Sequence, residues 1–132
     1  STPDVIDTPE QLRAPGGATV PGLESRDPPF LRPFIDQIKA KIPSEWLESP
    51  ARKAGGWRWQ DPLNVSGNNV RIDPGIPTSP FPTQQVHHVR VNYNGQVIGR
   101  SGQTLSSGVG ENAWEAHIPL SDWLNWSSWY HP

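Results

Sequence analysis

The sequence contains no cysteine and no methionine among its 132 residues. Without cysteine the chain cannot have a disulfide framework, a thiolate nucleophile or a cysteine-based zinc site. It also lacks a signal peptide and any apolar run long enough to cross a membrane, so we expect no membrane anchor. Because the chain starts at Ser1 and has no methionine, we expect it to be a piece of a longer protein.

Neither sign of charge is in large excess. Eleven basic and thirteen acidic residues give a net charge of −2, and residues 55–132 contain only four basic residues, all of them arginine. Non-specific binding of nucleic acid requires many phosphate contacts from Lys and Arg, which this composition does not offer. A small anion site that uses two or three arginines remains compatible with it.

Proline, glycine and tryptophan are abundant instead. The 16 prolines and 12 glycines predict short regular elements and long loops, and the 7 tryptophans predict either a compact core or an aromatic binding surface. Proline and glycine interrupt residues 1–29 so often that no helix or strand period survives there. We interpret residues 1–29 as a Pro/Gly-rich leader or linker and residues 30–132 as one domain.

The centre of that domain is a predicted β-hairpin around Asn94-Gly95, the dipeptide that best tolerates a type I′ turn. A two-residue loop places Tyr93 opposite Gln96 and, further along, Arg90 opposite Gly99. Side chains alternate between the faces of a strand, so one face carries Val89, Val91, Tyr93 and Ile98 and the other carries His88, Arg90 and Asn92. The glycine opposite Arg90 predicts an open space beside that guanidinium.

The rest of the domain predicts an α+β fold, in which an N-terminal helix packs on a small twisted antiparallel sheet. Residues 30–42 have apolar residues at helical spacing. Short strands are expected within residues 55–62, ending at Pro62 with both tryptophans on one face, at residues 68–73, with Val70 and Ile72 inward, and at residues 115–119, as an edge strand that ends at proline. A helix capped by Ser121 should follow.

If the strand of residues 68–73 lies beside the hairpin, Arg71 shares a polar face with His88 and Arg90. With His117 these residues form a set that could cleave RNA without a metal or another cofactor. A histidine takes the proton of a ribose 2′-hydroxyl, arginine stabilises the charge that grows on the phosphate, and His117 or a polarised water protonates the leaving oxygen. Alternatively, His88 is a solvated strand residue and both arginines form structural ion pairs with Asp73 and Asp61.

Four stretches of the chain carry a resemblance to a known group of domains: GWRW at residues 56–59, GNNVRIDPG at 67–75, PTQQVHHVRV at 82–91 and AHIPLSDW at 116–123. They resemble the C-terminal toxin domains of bacterial polymorphic toxin systems, the exchangeable effector domains of contact-dependent, Rhs-type and type VI or VII secreted proteins. Many such domains are similar to the compact RNases grouped with barnase, the colicins and RelE. The resemblance covers residues 55–132.

This resemblance implies a secreted antibacterial effector that acts in the cytoplasm of the target cell, a large carrier upstream, a cognate immunity protein and RNA, such as tRNA or rRNA, as the substrate. In similar domains we expect an acidic residue at the position of His87, which marks His88 as the functional histidine. The catalytic set is then His88, Arg71, Arg90 and His117. Substrate contacts are expected from four further residues: Asn69, Gln85, Arg100 and Trp59.

Two other function classes remain open on the sequence alone. A toxin that consumes NAD or transfers its ADP-ribose would use arginine and aromatic side chains for the dinucleotide, and Glu111 or Glu115 would be essential. A non-enzymatic binding module would instead use exposed tryptophans to hold a glycan or a protein. The first is tested by NAD levels in intoxicated cells, and the second by the exposure of the tryptophans.

Overall fold

The structure is a computed structural model that describes residues 2–3, 6–7, 27–52, 55–106 and 113–132. The predicted leader, residues 1–29, lies mostly outside these ranges. Within it, strands β1 (Thr2–Pro3) and β2 (Ile6–Asp7) pair antiparallel and form a small sheet of their own. No helix in the described part of the chain has the length and apolar character needed to span a membrane.

The domain has the predicted α+β fold, with one antiparallel sheet of seven strands. Six strands follow one another in both sequence and space, and the seventh, β9, returns from near the C-terminus to pair with β6. The strands are β3 (Leu47–Pro50), β4 (Trp57–Gln60), β5 (Asn69–Asp73), β6 (His88–Tyr93), β7 (Gln96–Ile98), β8 (Thr104–Leu105) and β9 (Ile118–Pro119).

The hairpin prediction is confirmed in its register. Tyr93 pairs with Gln96 and Val91 with Ile98, and both turn residues, Asn94 and Gly95, have positive φ as a type I′ turn requires. Strand β6 begins only at His88, because the preceding residues form a short 3₁₀ turn at Pro82–Gln84 and a bend.

The prediction of an open space beside Arg90 is wrong. The pairing of β6 with β7 ends at Ile98, so Gly99 is not a ladder partner of Arg90. A Cβ built on Gly99 would lie only 2.8 Å from the side chain of Gln103, which therefore fills the space that the glycine leaves. Gly99 is needed for this close approach, and its absent side chain creates no site.

The predicted helix of residues 30–42 consists of two parts. A 3₁₀ helix covers Pro29–Phe34, and helix α1 covers Ile35–Lys41. Pro33 lacks the N–H that a continuous α-helix would use, which explains why the regular hydrogen bonding starts after it. The apolar face is as predicted, since Leu31 and Ile38 are completely buried.

Two predictions near the C-terminus are wrong. Glu115 and Ala116 belong to helix α2 (Ala113–Ala116), and only Ile118 and Pro119 form a strand. The next helix, α3 (Leu120–Trp123), begins directly after Pro119, so Ser121 lies inside it and does not cap it. Strand β3 was not predicted from the sequence.

The core lies on one face of the sheet. Val70, Ile72, Val89 and Val91 are fully buried there, against α1 and the C-terminal segment. Six of the seven tryptophans belong to this core, including Trp57 and Trp59, which share a face as predicted. Because large aromatic side chains make up so much of it, replacing the fully buried Trp123 with alanine would cost about 3–5 kcal/mol of folding free energy.

Candidate active site

The face of the sheet opposite the core carries a row of three arginines, one from each of three neighbouring strands. Arg58 of β4 pairs with Arg71 of β5, and Arg71 pairs with Arg90 of β6. We call these three residues the arginine ladder. Like charges directly opposite each other destabilise a sheet, so this arrangement is a cost that an anionic ligand would relieve.

A groove runs along the arginine ladder. Its volume is about 160 Å³, and amide and hydroxyl groups line it together with the guanidinium groups. Asn69 accepts a hydrogen bond from the side chain of Asn92 at 3.0 Å and donates to the main-chain oxygens of Val65 and Ser66. The lining residues are Arg58, Gln60, Val65, Ser66, Asn69, Arg71, Arg90 and Asn92.

Asp73 lies beside the arginine ladder, one row further along the strands. Its Oδ2 accepts a hydrogen bond from Nε of Arg71 at 3.1 Å, forms an ion pair with Nη2 of the same guanidinium at 2.9 Å, and lies 3.6 Å from Nε2 of His88. Its Oδ1 is buried and has no hydrogen-bond partner among the described residues. A Cβ on Gly56 would lie 2.4 Å from Oδ1, so this glycine is what makes room for the carboxylate.

His88 stands opposite Asp73 in the register of β5 and β6 and is only 5% exposed. Its Nδ1 lies 2.9 Å from the main-chain oxygen of Val86, and a carbonyl oxygen can only accept, so Nδ1 carries a proton. Its Nε2 faces Asp73. Both ring nitrogens therefore face oxygen atoms, and only Nδ1 is within hydrogen-bond distance of its neighbour.

His117 lies next to His88, with the two ring centroids 5.2 Å apart in an edge-to-face arrangement. Its Nδ1 donates to the main-chain oxygen of Ala113 at 2.6 Å, which leaves the lone pair on Nε2. Burial lowers the pKa of His117, and the positive charges of His88, Arg90 and Arg71 lower it further, against the opposite effect of the hydrogen bond to Ala113. The lowered pKa favours the neutral form of His117.

The pairing of β9 with β6 explains how a residue from the C-terminal part of the chain reaches this face. Ile118 pairs with Val89 and Pro119 with His88, so the register places His117 level with Arg90. On the same side of β6, Val91 already pairs with Ile98 of β7. The sheet therefore forks at Arg90, where β6 changes its partner from β9 to β7.

The side chain of Arg90 is half-buried at this fork. Burial lowers the pKa of Arg90, as does the charge of Arg71, while Asp73 acts in the opposite direction. Arginine remains protonated under any ordinary condition, so this shift signals an electrostatic cost and leaves the charge itself unchanged. An anion bound at the fork would reduce that cost.

The four predicted catalytic residues, His88, Arg71, Arg90 and His117, are thus brought together on one face, and the predicted substrate contacts are not. Asn69 does line the groove. Gln85 lies in the loop before β6, where its side chain donates to the main-chain oxygen of Ser79 at 2.9 Å. Trp59 is only 3% exposed, in the core on the opposite face, so its prediction as a substrate contact is wrong.

Arg100 has a different position from the one expected of a substrate ligand. Its Nη2 donates to the main-chain oxygen of His117 at 3.0 Å, and its Nε donates to the main-chain oxygen of Trp114. Arg100 therefore holds the segment that carries His117. Its guanidinium also covers the ring of Trp114, with 3.7 Å between Cζ and the ring centroid.

His87 points away from this cluster, as the alternation of the strand predicts. Its Nδ1 accepts a hydrogen bond from the N–H of Gly75 at 2.7 Å, and its ring packs against Phe30 with centroids 5.0 Å apart. Burial lowers the pKa of His87, and so does the nearby His88, which agrees with an Nδ1 that must stay unprotonated to accept. These contacts assign His87 a structural part.

Sequence reasoning left two members of the site outside the predicted set. Arg58 is absent from the predicted set, and Asp73 enters the sequence analysis only as a possible ion-pair partner. The signal for both was the alternation in β4 and β5, which puts them on the face of Arg71. What the sequence lacked was the register between strands that are joined by long loops.

Among the described residues, no three His, Asp or Glu side chains cluster closely enough to form a metal-binding group. Comparisons of the chain with models of protein families, with curated proteins and with solved structures find no match.

Proposed function

We propose that this domain is a metal-independent endoribonuclease, and that it serves as the effector domain of a secreted antibacterial toxin. The observation that carries the enzymatic proposal is the pair of adjacent histidines, His88 and His117, beside the arginine ladder. RNA supplies its own nucleophile, the 2′-hydroxyl, so two proton-transfer groups and a phosphate-binding site suffice.

In this proposal one histidine accepts a proton from the 2′-hydroxyl and the other donates a proton to the leaving 5′-oxygen. Nε2 of His117 has a free lone pair and accepts the proton of the 2′-hydroxyl as its oxygen attacks the phosphorus atom. His88, whose Nδ1 donates to Val86 and whose Nε2 lies 3.6 Å from Oδ2 of Asp73, gives a proton to the 5′-oxygen as the P–O bond to it breaks. The products are a 2′,3′-cyclic phosphate and a free 5′-hydroxyl.

The arginine ladder would stabilise the negative charge that develops on the phosphate during the reaction. A phosphodiester carries one negative charge, and a further charge develops on its non-bridging oxygens during the attack. Fixed guanidinium groups aimed at that charge stabilise the transition state more than the ground state. Asp73 orients Arg71 through one hydrogen bond and an ion pair and lies beside Nε2 of His88, so it acts as a positioning residue for both.

Neither alternative is favoured by a specific contact. A binding module that uses exposed tryptophans would need them at the surface, but six of the seven are in the core. For an NAD-directed toxin, Glu115 would have to lie in the site. It instead accepts a hydrogen bond from Gln103 at 3.0 Å, and Glu111 lies outside the described residues.

The parts of the proposal that concern the toxin depend on the family resemblance of residues 55–132. They include the upstream carrier, action in the cytoplasm of a target cell, and a cognate immunity protein that binds the domain. The net charge of −2 fits a local phosphate site better than a broad nucleic-acid surface.

The test is to incubate the purified chain, with EDTA present, with an end-labelled single-stranded RNA and with the DNA of the same sequence. We expect cleavage of the RNA alone and a 2′,3′-cyclic phosphate on the 5′ fragment, because DNA lacks the nucleophile. His117→Ala should lower the cleavage rate by about 10²–10⁴-fold, and it should relieve the growth arrest that follows expression of the chain in bacteria. Intact RNA, or equal cleavage of the DNA, would overturn the proposal.

A further inference from the structure

One tryptophan differs from all the others in its surroundings. Trp114 of helix α2 is 60% exposed, whereas the remaining six are at most 8% exposed. Burying a tryptophan is strongly favourable, and Trp114 is the one tryptophan whose ring the core does not use.

The indole ring of Trp114 is held in place by Arg100. The guanidinium of Arg100 stacks on the indole, with Cζ 3.7 Å from the ring centroid, and the same guanidinium donates to the main-chain oxygens of Trp114 and His117. With one face of the ring covered in this way and most of its surface exposed, the other face is open to solvent. A rigid ring with a free face is the form that aromatic platforms for nucleic-acid bases take.

The platform lies next to the catalytic histidine. Trp114 and His117 are three residues apart, and the N–H of His117 still bonds to the oxygen of Ala113 in the helical pattern. Residues three apart on a helix have Cβ atoms about 5–6 Å from each other. A base stacked on Trp114 is therefore adjacent to the phosphate that His117 and the arginine ladder would hold.

We infer that Trp114 is a base-stacking subsite and that the substrate class is single-stranded RNA, with an unpaired base next to the scissile phosphate. This inference rests on the proposed ribonuclease function and adds to it the form of RNA that the site accepts. A base in a duplex already stacks on its neighbours and has no free face to offer, so double-stranded RNA is a poor substrate. Because every base has such a face, the subsite is tolerant of sequence.

A chimeric substrate makes the test specific. An oligodeoxynucleotide with a single ribonucleotide has one 2′-hydroxyl and therefore one cleavable bond. Three versions are compared: the intact strand, and two strands with an abasic site either at the ribonucleotide or at the nucleotide that follows it. Each is cleaved by the wild-type chain, by Trp114→Ala, by Trp114→Phe and by the control variant Leu63→Ala, which truncates another exposed apolar side chain.

We expect Trp114→Ala to lower kcat/KM on the intact strand by about five- to 150-fold, the range that loss of one stacked base produces. One of the two abasic strands should be cleaved by the wild type at that lower rate and show no further loss in Trp114→Ala. Trp114→Phe should retain most of the activity, and Leu63→Ala all of it.

Two results separate the inference from the function on which it rests. If the wild type cleaves the intact strand and Trp114→Ala lowers the rate on all three strands equally, or on none, the subsite is overturned while the ribonuclease stands. If the wild type cleaves neither the intact chimera nor an all-RNA strand, both are overturned, and Trp114 is then a contact for another kind of partner.

Discussion

The imidazole rings of His88 and His117 meet edge to face, 5.2 Å apart, although 29 positions separate them in the sequence. Each ring has one nitrogen fixed by a main-chain oxygen, of Val86 and Ala113 respectively. The remaining nitrogens differ in their surroundings, because only that of His88 faces a carboxylate. In the proposed reaction, this asymmetry would give the two histidines opposite roles in proton transfer.

The pH dependence of cleavage should report the state of His117. Burial and the neighbouring positive charges lower the pKa of this histidine, so its neutral form persists to a pH below its ordinary value of about 6.5. We expect kcat/KM to decline on the acid side only below about pH 6.5. His117→Ala should lose about 10²–10⁴-fold in rate, and any residual activity should lack that acid limb. An unchanged limb in the variant would assign it to another group.

His88, the first residue of β6, and His87, the residue before it, should respond differently to replacement by alanine. His87→Ala removes the acceptor of the Gly75 N–H, which should cost about 1–3 kcal/mol of stability, and activity of the folded fraction should remain. His88→Ala should lose activity. Thermal unfolding and cleavage rates measured for both variants, at a temperature where both are folded, check this. Loss of activity in His87→Ala with its fold intact would contradict the structural role of this residue.

Removing a charge from the arginine ladder should stabilise the fold or leave its stability unchanged, and it should weaken anion binding. Arg90→Gln relieves repulsion from Arg71, so in low salt its Tm should equal or exceed that of the wild type. Addition of inorganic phosphate should raise the Tm of the wild type more than that of the variant, because a ligand stabilises the state that binds it.

The matched control for the ladder is Arg32→Gln, which removes the same charge from an exposed position in the 3₁₀ helix. It should leave the phosphate-induced rise in Tm as large as in the wild type. If both variants reduce this rise equally, phosphate responds to net charge alone and the ladder has no special affinity.

A second pH effect concerns stability and lies far from the candidate site. Burial raises the pKa of Glu48 in β3 above its ordinary value of 4.5; Lys39, 3.7 Å away, opposes the shift, and a hydrogen bond with Asp27 adds to it. A carboxyl whose pKa is raised by folding destabilises the fold when it is ionised. This cost is absent below the unfolded-state pKa and complete above the folded-state pKa.

We therefore expect Glu48→Gln to raise Tm relative to the wild type more at pH 7 than at pH 4. Glu45→Gln, a change of the same charge at an exposed position two residues before β3, should show no such pH dependence. The measurement is thermal unfolding of the three proteins at both pH values. A difference between Glu48→Gln and the wild type that is equal at both would contradict the raised pKa.

The parts of the fold that the sequence predicted correctly are those set by local rules. Asn94-Gly95 determines the turn, the turn determines the register, and alternation then assigns Val89 and His88 to opposite faces. Helix α1 and strand β5 likewise show their apolar face within a few residues. These patterns require no knowledge of the rest of the chain.

The parts that were missed depend on distant partners. Strand β3 has the sequence Leu-Glu-Ser-Pro, which has no strand pattern of its own, and it exists because it pairs with β4. The space beside Gly99 is filled by Gln103, which no alternation rule identifies. Similarly, the arginine ladder required the register across two long loops, so Arg58 could not be assigned to the site from its own strand.

The fork at Arg90 makes the candidate site depend on how completely the chain has folded. Strands β3 to β8 connect sequence neighbours, so they can assemble with short loop closures, whereas β9 must return across a much longer stretch to reach β6. The pairings that align the three arginines do not involve β9, whereas the position of His117 depends on it. Under the proposed function, local opening of β9 would therefore impair cleavage of RNA more than binding of phosphate.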